Sequence, residues 1–570
     1  MKQLLMTLGK KYSGKLALAI VLSAVGSGTL MYLPILFQRV LDVAVPAGNI
    51  ADVKKICAVA LLFIIISVLC SSARYMITSR MGQRMIYDIR EQLFIHLQNL
   101  DVSYFDKASD GKIQTVLVNY VNGLSDVLSN GVVNVLLEAM NMIYILIFMF
   151  CVNVKLSFVI LAGVPFMLLY MYIINKKQSI GWTNLIERET EAGGVLQEEL
   201  RGMMISRAFC HEEKSRRKYS ELLEKRKQAG IYVNRYASMV WPGIDFIGSV
   251  VRCAVFCVGL MVIDEDEITV GVILAMATYA SGFWQPLINL GTLYNSFVSG
   301  INYIKKISEI MKEPVLVKDE ENSEPIGEIV GNVSFEDVFF SYDAGVPVLT
   351  RVNMQITAGQ SVALVGPTGA GKTTVVNLLS RFYDACSGRI LIDGKDIRKY
   401  TQKSIRSQMG IMLQESQLFT GTIEENIRYG KPEATMEDVV AACRIVQADK
   451  FIEQFPNGYQ TQIQGSHDYL SQGQKELIAL ARTIVTNPRI LILDEATANI
   501  DVQTEKMIQK GLVQAMEGRT SFVIAHRLST IMNSDIIMYI DQGGIAEQGT
   551  HAELMQKKGL YYKMFVSQLC

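Results

Sequence analysis

The sequence predicts a two-part molecule: an all-α membrane region of six long helices, followed by an α/β domain of the phosphate-loop type. Three observations predict it. The chain of 570 residues is 50% hydrophobic and only 19% charged, with a mean hydropathy of +0.24, which is unusual for a water-soluble domain. The apolar excess lies before residue 300, in long uninterrupted stretches. Far downstream, Gly366-Pro-Thr-Gly-Ala-Gly-Lys-Thr-Thr374 stands between a strand-like apolar run, Ser361 to Val365, and a helix-like run, Thr374 to Phe382.

The apolar stretches are Leu16 to Leu36, Ile56 to Cys70, Val132 to Cys151, Leu156 to Ile174, Val240 to Ile263 and Val270 to Leu290. A helix needs about 20 residues to cross a hydrocarbon layer of ~30 Å, so these read as six spans, the second continuing towards Ile77. The chain's start lacks the short apolar core and small-residue cleavage site of a secretory signal, so the first span is expected to stay in place. Lys2, Lys10, Lys11 and Lys15 precede the first span. The connection after the fourth holds Lys176, Lys177, Arg201, Arg207, Lys214, Arg216, Arg217, Lys218, Lys225, Arg226 and Lys227, while the turn after the fifth is Asp264-Glu-Asp-Glu267. The positive-inside rule then puts both termini and the C-terminal domain in the cytosol of a multi-pass protein of the cell membrane. Residues 78 to 131 and 175 to 239 are polar yet keep a helical period, and so read as helices projecting beyond the bilayer. The expected division is a membrane domain over 1–311, a charged linker over 312–330 with Pro314, Pro325 and Asp319-Glu-Glu321, and the α/β domain over 331–570.

A strand that turns into a helix through glycines is what a phosphate cradle needs. Gly366, Gly369 and Gly371 let the backbone curl, so that N–H groups of the loop with Pro367, Thr368, Ala370 and Thr374 point inward at the phosphates of a nucleoside triphosphate. Lys372 reaches the terminal phosphates and Thr373 is placed to ligate Mg²⁺. Ile490-Leu-Ile-Leu493 reads as a buried parallel strand, ending in Asp494 and Glu495. Asp494 is placed to hold the magnesium through water, and Glu495 to polarise the water that attacks the γ-phosphate.

Leu470-Ser-Gln-Gly-Gln474, about a hundred residues after the loop, resembles the signature of the ATP-binding cassette (ABC) transporters, and the likeness runs over roughly residues 331 to 570. The resemblance implies further roles. Tyr342 resembles the aromatic that stacks on adenine, Gln414 the glutamine that touches Mg²⁺ and senses the membrane domain, and His526 the switch histidine on the γ-phosphate. Ala498-Asn-Ile-Asp501 resembles the loop that follows the catalytic acid. Ser471, Gly473 and Gln474 would serve the ATP of a second cassette, so one chain is half a transporter, paired as homodimer or heterodimer. The turns near Ser103-Tyr-Phe-Asp106 and Phe209-Cys-His-Glu-Glu213 resemble the coupling segments of the exporter architecture, as do Leu196-Gln-Glu-Glu-Leu200 and Arg207-Ala-Phe209. The implied activity is ATP-driven export of amphipathic small molecules, lipids or peptides; import, as in siderophore carriers, and an ATP-regulated channel or sensor are the alternatives. Two departures stand out: Gln472 replaces the usual glycine, and Gln464-Gly-Ser-His-Asp468 lacks the usual Glu-Arg-Gly run. In the family such a chain is often the catalytic half of a heterodimer.

The remaining features narrow little. The 9 Cys form no C-x-x-C pair, which suggests neither zinc nor a disulfide framework, and a formal net charge of +0 gives no support for nucleic-acid binding. Arg252 falls near the middle of the fifth span, where a charge costs at least ~2.5 to 3.5 kcal/mol. Asp245 lies seven residues earlier on the same face and Glu138 sits in the third span, so an internal salt bridge is expected ahead of direct contact with an anionic substrate. Met140, Met142, Met149, Met167 and Met171 are expected mainly to face lipid or neighbouring helices.

Overall fold

The computed structural model describes the chain apart from residues 1, 109, 128–130, 262–267, 344, 413–416, 464–469, 495–501, 525–530 and 570. Two compact units form, Met1–Gln98 with Asp110–Glu313, and Asn99–Ser109 with Pro314–Cys570. The first is helical. Its long elements are α1 (Lys2–Met31), α2 (Ile50–Asn99), α3 (Val132–Val152), α4 (Val164–Arg201), α5 (Glu212–Met261) and α6 (Val270–Met311). At 1.5 Å per residue the 50 residues of α2 and of α5 extend ~75 Å, more than twice the hydrocarbon thickness. The polar connections are therefore continuations of the spanning helices, as the sequence periodicity expects.

Breaks in the helices have local causes. After α1 the chain restarts as the helix Leu33–Arg39 with Pro34 in its first turn, where the missing N–H is harmless. Ile35 N bonds Tyr32 O instead of reaching back to Met31 O, and the buried Tyr279 hydroxyl of α6 donates to Met31 O at 2.8 Å. The fourth passage begins as Val154–Ala162, capped by Asn153, and resumes as α4 beyond Gly163, ahead of Pro165.

Among the described residues, five helices are long and apolar enough to cross a membrane: Lys11–Ala44, Ile50–Asn99, Val133–Val152, Val154–Arg201 and Glu212–Met261. The sixth expected span, Val270 to Leu290, is the first half of α6 and falls outside that set. Thr278, Tyr279, Ser281 and Gln285 dilute its apolar character, and the helix is packed within the unit through Met276, Tyr279, Ala280, Phe283 and Trp284. A helix with one face packed against its neighbours keeps its apolar residues on that face and can carry polar ones, such as Ser281 and Gln285, on the other. Ile56 to Cys70 is the opposite case: only 11% of the apolar window in Ile50–Asn99 is buried, and Leu61, Ile65 and Leu69 lie exposed. Such a surface requires lipid as its solvent. Met149 and Met167 are core residues packed with Ile145, Leu156 and Val255.

The second unit is α/β. Its main sheet contains β3 (Ser361–Val365), β6 (Met409–Met412), β9 (Ile490–Asp494), β10 (Thr520–Ile524), β11 (Ile536–Asp541) and β12 (Gly544–Gly549). Its order is β12-β11-β3-β10-β9-β6, parallel except for the β11–β12 pair. A smaller antiparallel sheet is formed by β1 (Val333–Phe340), β2 (Leu349–Ile356), β4 (Ser387–Ile392) and β5 (Lys395–Asp396), in the order β2-β1-β4-β5, and β7 (Gly421–Thr422) pairs antiparallel with β8 (Gln462–Ile463). Buried β-branched and aromatic side chains from both sheets share one core. The stretch read from sequence as a linker is docked from Leu316 onward. Arg381, 1% exposed, binds Asp319 at 3.1 Å and the carbonyls of Lys318 and Tyr400, while Ile326 N and Ile329 N donate to Ser404 and Gln408.

Candidate nucleotide-binding site

The site is built on the carboxyl edge of the parallel sheet. The neighbouring strands β3, β10, β9 and β6 end at Val365, Ile524, Asp494 and Met412. Register aligns Leu364 with Ile524, Ile524 with Asp494, and Leu493 with Met412. At about 4.8 Å per strand, all four ends fall within roughly 15 Å. The phosphate loop follows β3 directly. Glu495 follows Asp494, and Gln414 and His526 each come two residues after their strand; these three lie outside the described residues, as do Asn499 and Asp501.

The loop's conformation depends on glycine. Gly366 has φ +143, and a Cβ there would come 2.1 Å from Ile540 O of β11; Gly371, at φ +105, would meet Leu349 at 2.7 Å. Gly371 is the N-cap of the helix Lys372–Leu379, whose first N–H groups open into the loop. Lys372 is 8% exposed, and its ammonium donates to Gly366 O at 2.8 Å and Pro367 O at 2.9 Å. Burial lowers its pKa, and the Asp494 carboxylate opposes that shift. Lys372 and Asp494 thus act electrostatically on one another, one from the loop and one from the end of β9. Thr373 is exposed while Thr374 is buried, so the two adjacent hydroxyls are used differently: Thr373 faces outward, and Thr374 Oγ1 bonds the Tyr342 hydroxyl at 3.1 Å. Thr373 and Asp494 offer a hydroxyl and a carboxylate, oxygen donors of the kind that fit a hard cation such as Mg²⁺.

Tyr342 lies exposed two residues beyond β1. Its ring is held edge-on by Phe340 at 4.9 Å and Tyr383 at 5.1 Å, which leaves ring surface available for a base. Ser471 is the N-cap of the helix Gln472–Ile484: its hydroxyl accepts from Gln474 N at 3.3 Å, and Gln474 Oε1 accepts from Ser471 N at 2.9 Å. This capping box satisfies two orphan groups locally. Gln474 is therefore occupied in shaping the turn, and Gly473 is buried.

Two residues that the sequence reading passed over, Tyr383 and Arg482, shape this unit. Tyr383 donates to Asp106 Oδ2 at 2.5 Å, so the short helix Val102–Lys107 sits against the aromatic trio under Tyr342. Burial and the Asp106 carboxylate both push the Tyr383 phenol up from its ordinary value. Arg482, from the helix after Ser471, lies over Phe419 and Tyr429 and donates to Asn426 O at 2.8 Å and Gln417 O at 2.9 Å. It thereby fixes the chain where it leaves the Gln414 segment. The alternation Phe340-x-Tyr342 was readable as one strand face, but no local signal links it to Tyr383 or Asp106.

Comparison with known proteins places these features in a family. Residues 16–287 match the ABC transporter transmembrane region, and residues 349–498 match the ABC transporter family. The chain is similar to YknV, an uncharacterized ABC transporter ATP-binding protein of Bacillus subtilis, with 34% identity over 97% of this chain and 92% of the relative. It is also similar to a fatty acid ABC transporter ATP-binding/permease protein of Mycobacterium bovis, with 36% identity over 90% of this chain and 82% of that one. Among solved structures, a bacterial Atm1-family ABC exporter with ATP bound matches with TM-score 0.80 and 28% identity, over 98% of this chain and 99% of the other.

Proposed function

The chain belongs to the ABC transporter family, and from that premise we propose that it works as one half of a dimeric exporter of amphipathic molecules. It binds ATP and uses it to drive export across a membrane; its half-transporter architecture implies dimerisation. The observation that carries the reading is the convergence of four strand ends and the glycine-shaped loop on one sheet edge.

On that edge Lys372 and the N–H groups of Thr368 to Thr374 hold the phosphates, and Tyr342 stacks on the adenine. Thr373, Gln414 and Asp494 would hold Mg²⁺, which neutralises charge developing on the γ-phosphate. Glu495 takes the proton from the attacking water, and His526 donates to a γ-phosphate oxygen. Ser471, with the free N–H groups of the helix it caps, faces the nucleotide of the second cassette. Closure is favoured because ATP has more partners in the closed pair than in the open one. The organisation is a membrane domain over 1–311, a docked linker over 312–330 and a cassette over 331–570. Both termini are cytosolic on the positive-inside argument. Val102–Lys107 and the Phe209 turn are the coupling segments. The second half is another copy or a related chain. The cargo is a small molecule, lipid or peptide with both apolar and polar parts; resemblance to a fatty acid transporter supports the lipid class.

Glu495→Gln tests the reading. ATP binding persists while hydrolysis falls by about 10²- to 10⁴-fold; near-normal turnover would remove the assigned role. ATP-dependent accumulation of an amphiphile inside inside-out vesicles is expected. Movement the other way would mean import, and flux without continued hydrolysis would mean a channel.

A further inference from the structure

Arg252 stands nine residues before Met261, the end of α5, roughly 14 Å along the axis and deep in the apolar run. The salt bridge with Asp245 expected from spacing is not formed. Arg252 Nη2 donates to Ser249 Oγ at 2.8 Å, and Nη1 lies 3.4 Å from Ser281 Oγ of α6. Ser281 Oγ gives its own proton to Ala277 O at 2.9 Å, leaving its lone pairs for the guanidinium. The charge is therefore oriented by two neutral hydroxyls on two helices, and among the described residues no carboxylate pairs with it. A guanidinium carries five N–H donors in a planar fork, so most remain for something else, and the side chain is exposed.

The surroundings continue this chemistry along α6. Ser281 and Gln285 are exposed and Asn289 half-buried on one face, while Met276, Tyr279, Ala280, Phe283 and Trp284 are buried. Gln285 Nε2 donates to Asn289 Oδ1 at 3.0 Å, and Asn289 Nδ2 donates to Glu138 Oε1 of α3 at 2.7 Å. The Glu138 carboxylate is thus held by amides, with Asn141 Nδ2 at 3.5 Å as well. The row runs about 12 Å from the Ser281 end to the Asn289 end, cationic at one end and anionic at the other. A guanidinium midway along an apolar span is costly against hydrocarbon, so this exposed polar face of α6 calls for a polar occupant.

We infer that Arg252, with Ser249 and Ser281 fixing its guanidinium, is the headgroup subsite of the exported amphiphile and takes an anion, a carboxylate or a phosphate monoester. This rests on the exporter reading above. The fork matches two oxygens of either group, and a neutral headgroup would leave the charge without a counter-ion. Glu138, repelling the same headgroup, restricts it to the Ser281 end of the row.

The test uses the full chain, purified with whatever second half accompanies it and reconstituted in liposomes. ATPase stimulation is titrated with oleate, oleyl phosphate, oleyl alcohol and oleylamine in the wild type, Arg252→Ala and Arg252→Lys. In the wild type, at least one of the two anions should half-stimulate at a concentration ~10- to ~100-fold below the alcohol; which one does so names the headgroup. Arg252→Ala should bring that ratio near one by weakening the anion alone, and Arg252→Lys should keep part of it. A wild type stimulated equally by all four, or an anion preference unchanged in Arg252→Ala, overturns the subsite while leaving export intact. Loss of all stimulation together with separation of the two halves in Arg252→Ala overturns it in favour of an ion pair between halves. No response of the wild type to any of the four, with no ATP-dependent movement of them, defeats the exporter reading and the subsite together.

Discussion

Removing one hydroxyl, in Tyr383→Phe, separates packing from hydrogen bonding at the point where Val102–Lys107 meets the aromatic trio. The ring stays edge-on to Phe340 at 5.6 Å and Tyr342 at 5.1 Å, so apolar burial is unchanged. What is lost is the bond from the phenol to the Asp106 carboxylate at 2.5 Å. A bond to a charged acceptor contributes about 1.5 to 3 kcal/mol, and since Asp106 is exposed the lower end applies. That is roughly tenfold in the docking equilibrium of the segment. The neighbouring Lys107–Asp343 pair, at 2.8 Å with side chains 66% and 72% exposed, adds at most ~1 kcal/mol, so it cannot compensate. Asp101, which accepts from Val317 N at 3.1 Å, holds the segment's other end and sets a limit on how far it frees itself. Hydrogen exchange on a peptide covering residues 99–109 should be about tenfold faster in the variant. Stimulated ATPase should fall more than basal ATPase. Unchanged exchange in that peptide would refute the idea that the Tyr383 hydroxyl fastens it. Because burial and Asp106 both raise the phenol's pKa, the donor stays protonated and the effect should not vary between about pH 6 and 9.

Gly366→Ala places a methyl group 2.1 Å from Ile540 O at φ +143. Strain of ~1 to 3 kcal/mol should weaken binding of a fluorescent ATP analogue by about 5- to 150-fold, and wild-type affinity would contradict the cradle geometry. The capping-box carboxyls Asp438 and Glu553 are held below their ordinary range by the backbone N–H groups and then the hydroxyls of Thr435 and Thr550. A carboxyl with a depressed folded pKa stabilises fully above its unfolded value, near 4, and loses that contribution as pH falls through the folded one. The melting temperature of the full chain should therefore drop as pH falls from about 5 to 3, less steeply in Asp438→Asn with Glu553→Gln; parallel slopes would contradict the assignment.

What the sequence disclosed and what it concealed follow from the range of the interactions concerned. The phosphate loop was legible because a strand, a glycine turn and a helix are consecutive, and each requirement acts within a few residues of Gly366 and Lys372. The order of spans was legible because hydrocarbon acts on each helix separately, as the exposed Leu61, Ile65 and Leu69 show. α6 was legible only in part: Ser281 and Gln285 lie on its exposed face, and their use emerges only when Arg252 of α5 comes beside Ser281. Asp245 looked like the natural partner of Arg252 because spacing on one helix is all a sequence gives, yet a side chain facing a neighbouring helix can bond across to it, and Ser281 is 29 residues away. The same applies to Tyr383 and Asp106, 277 positions apart. Local pattern thus reveals the glycine loop at the edge of the sheet. The ties that could carry a nucleotide's presence from Tyr342 to the Val102–Lys107 helix are long-range, and single atoms at the ends of side chains decide them.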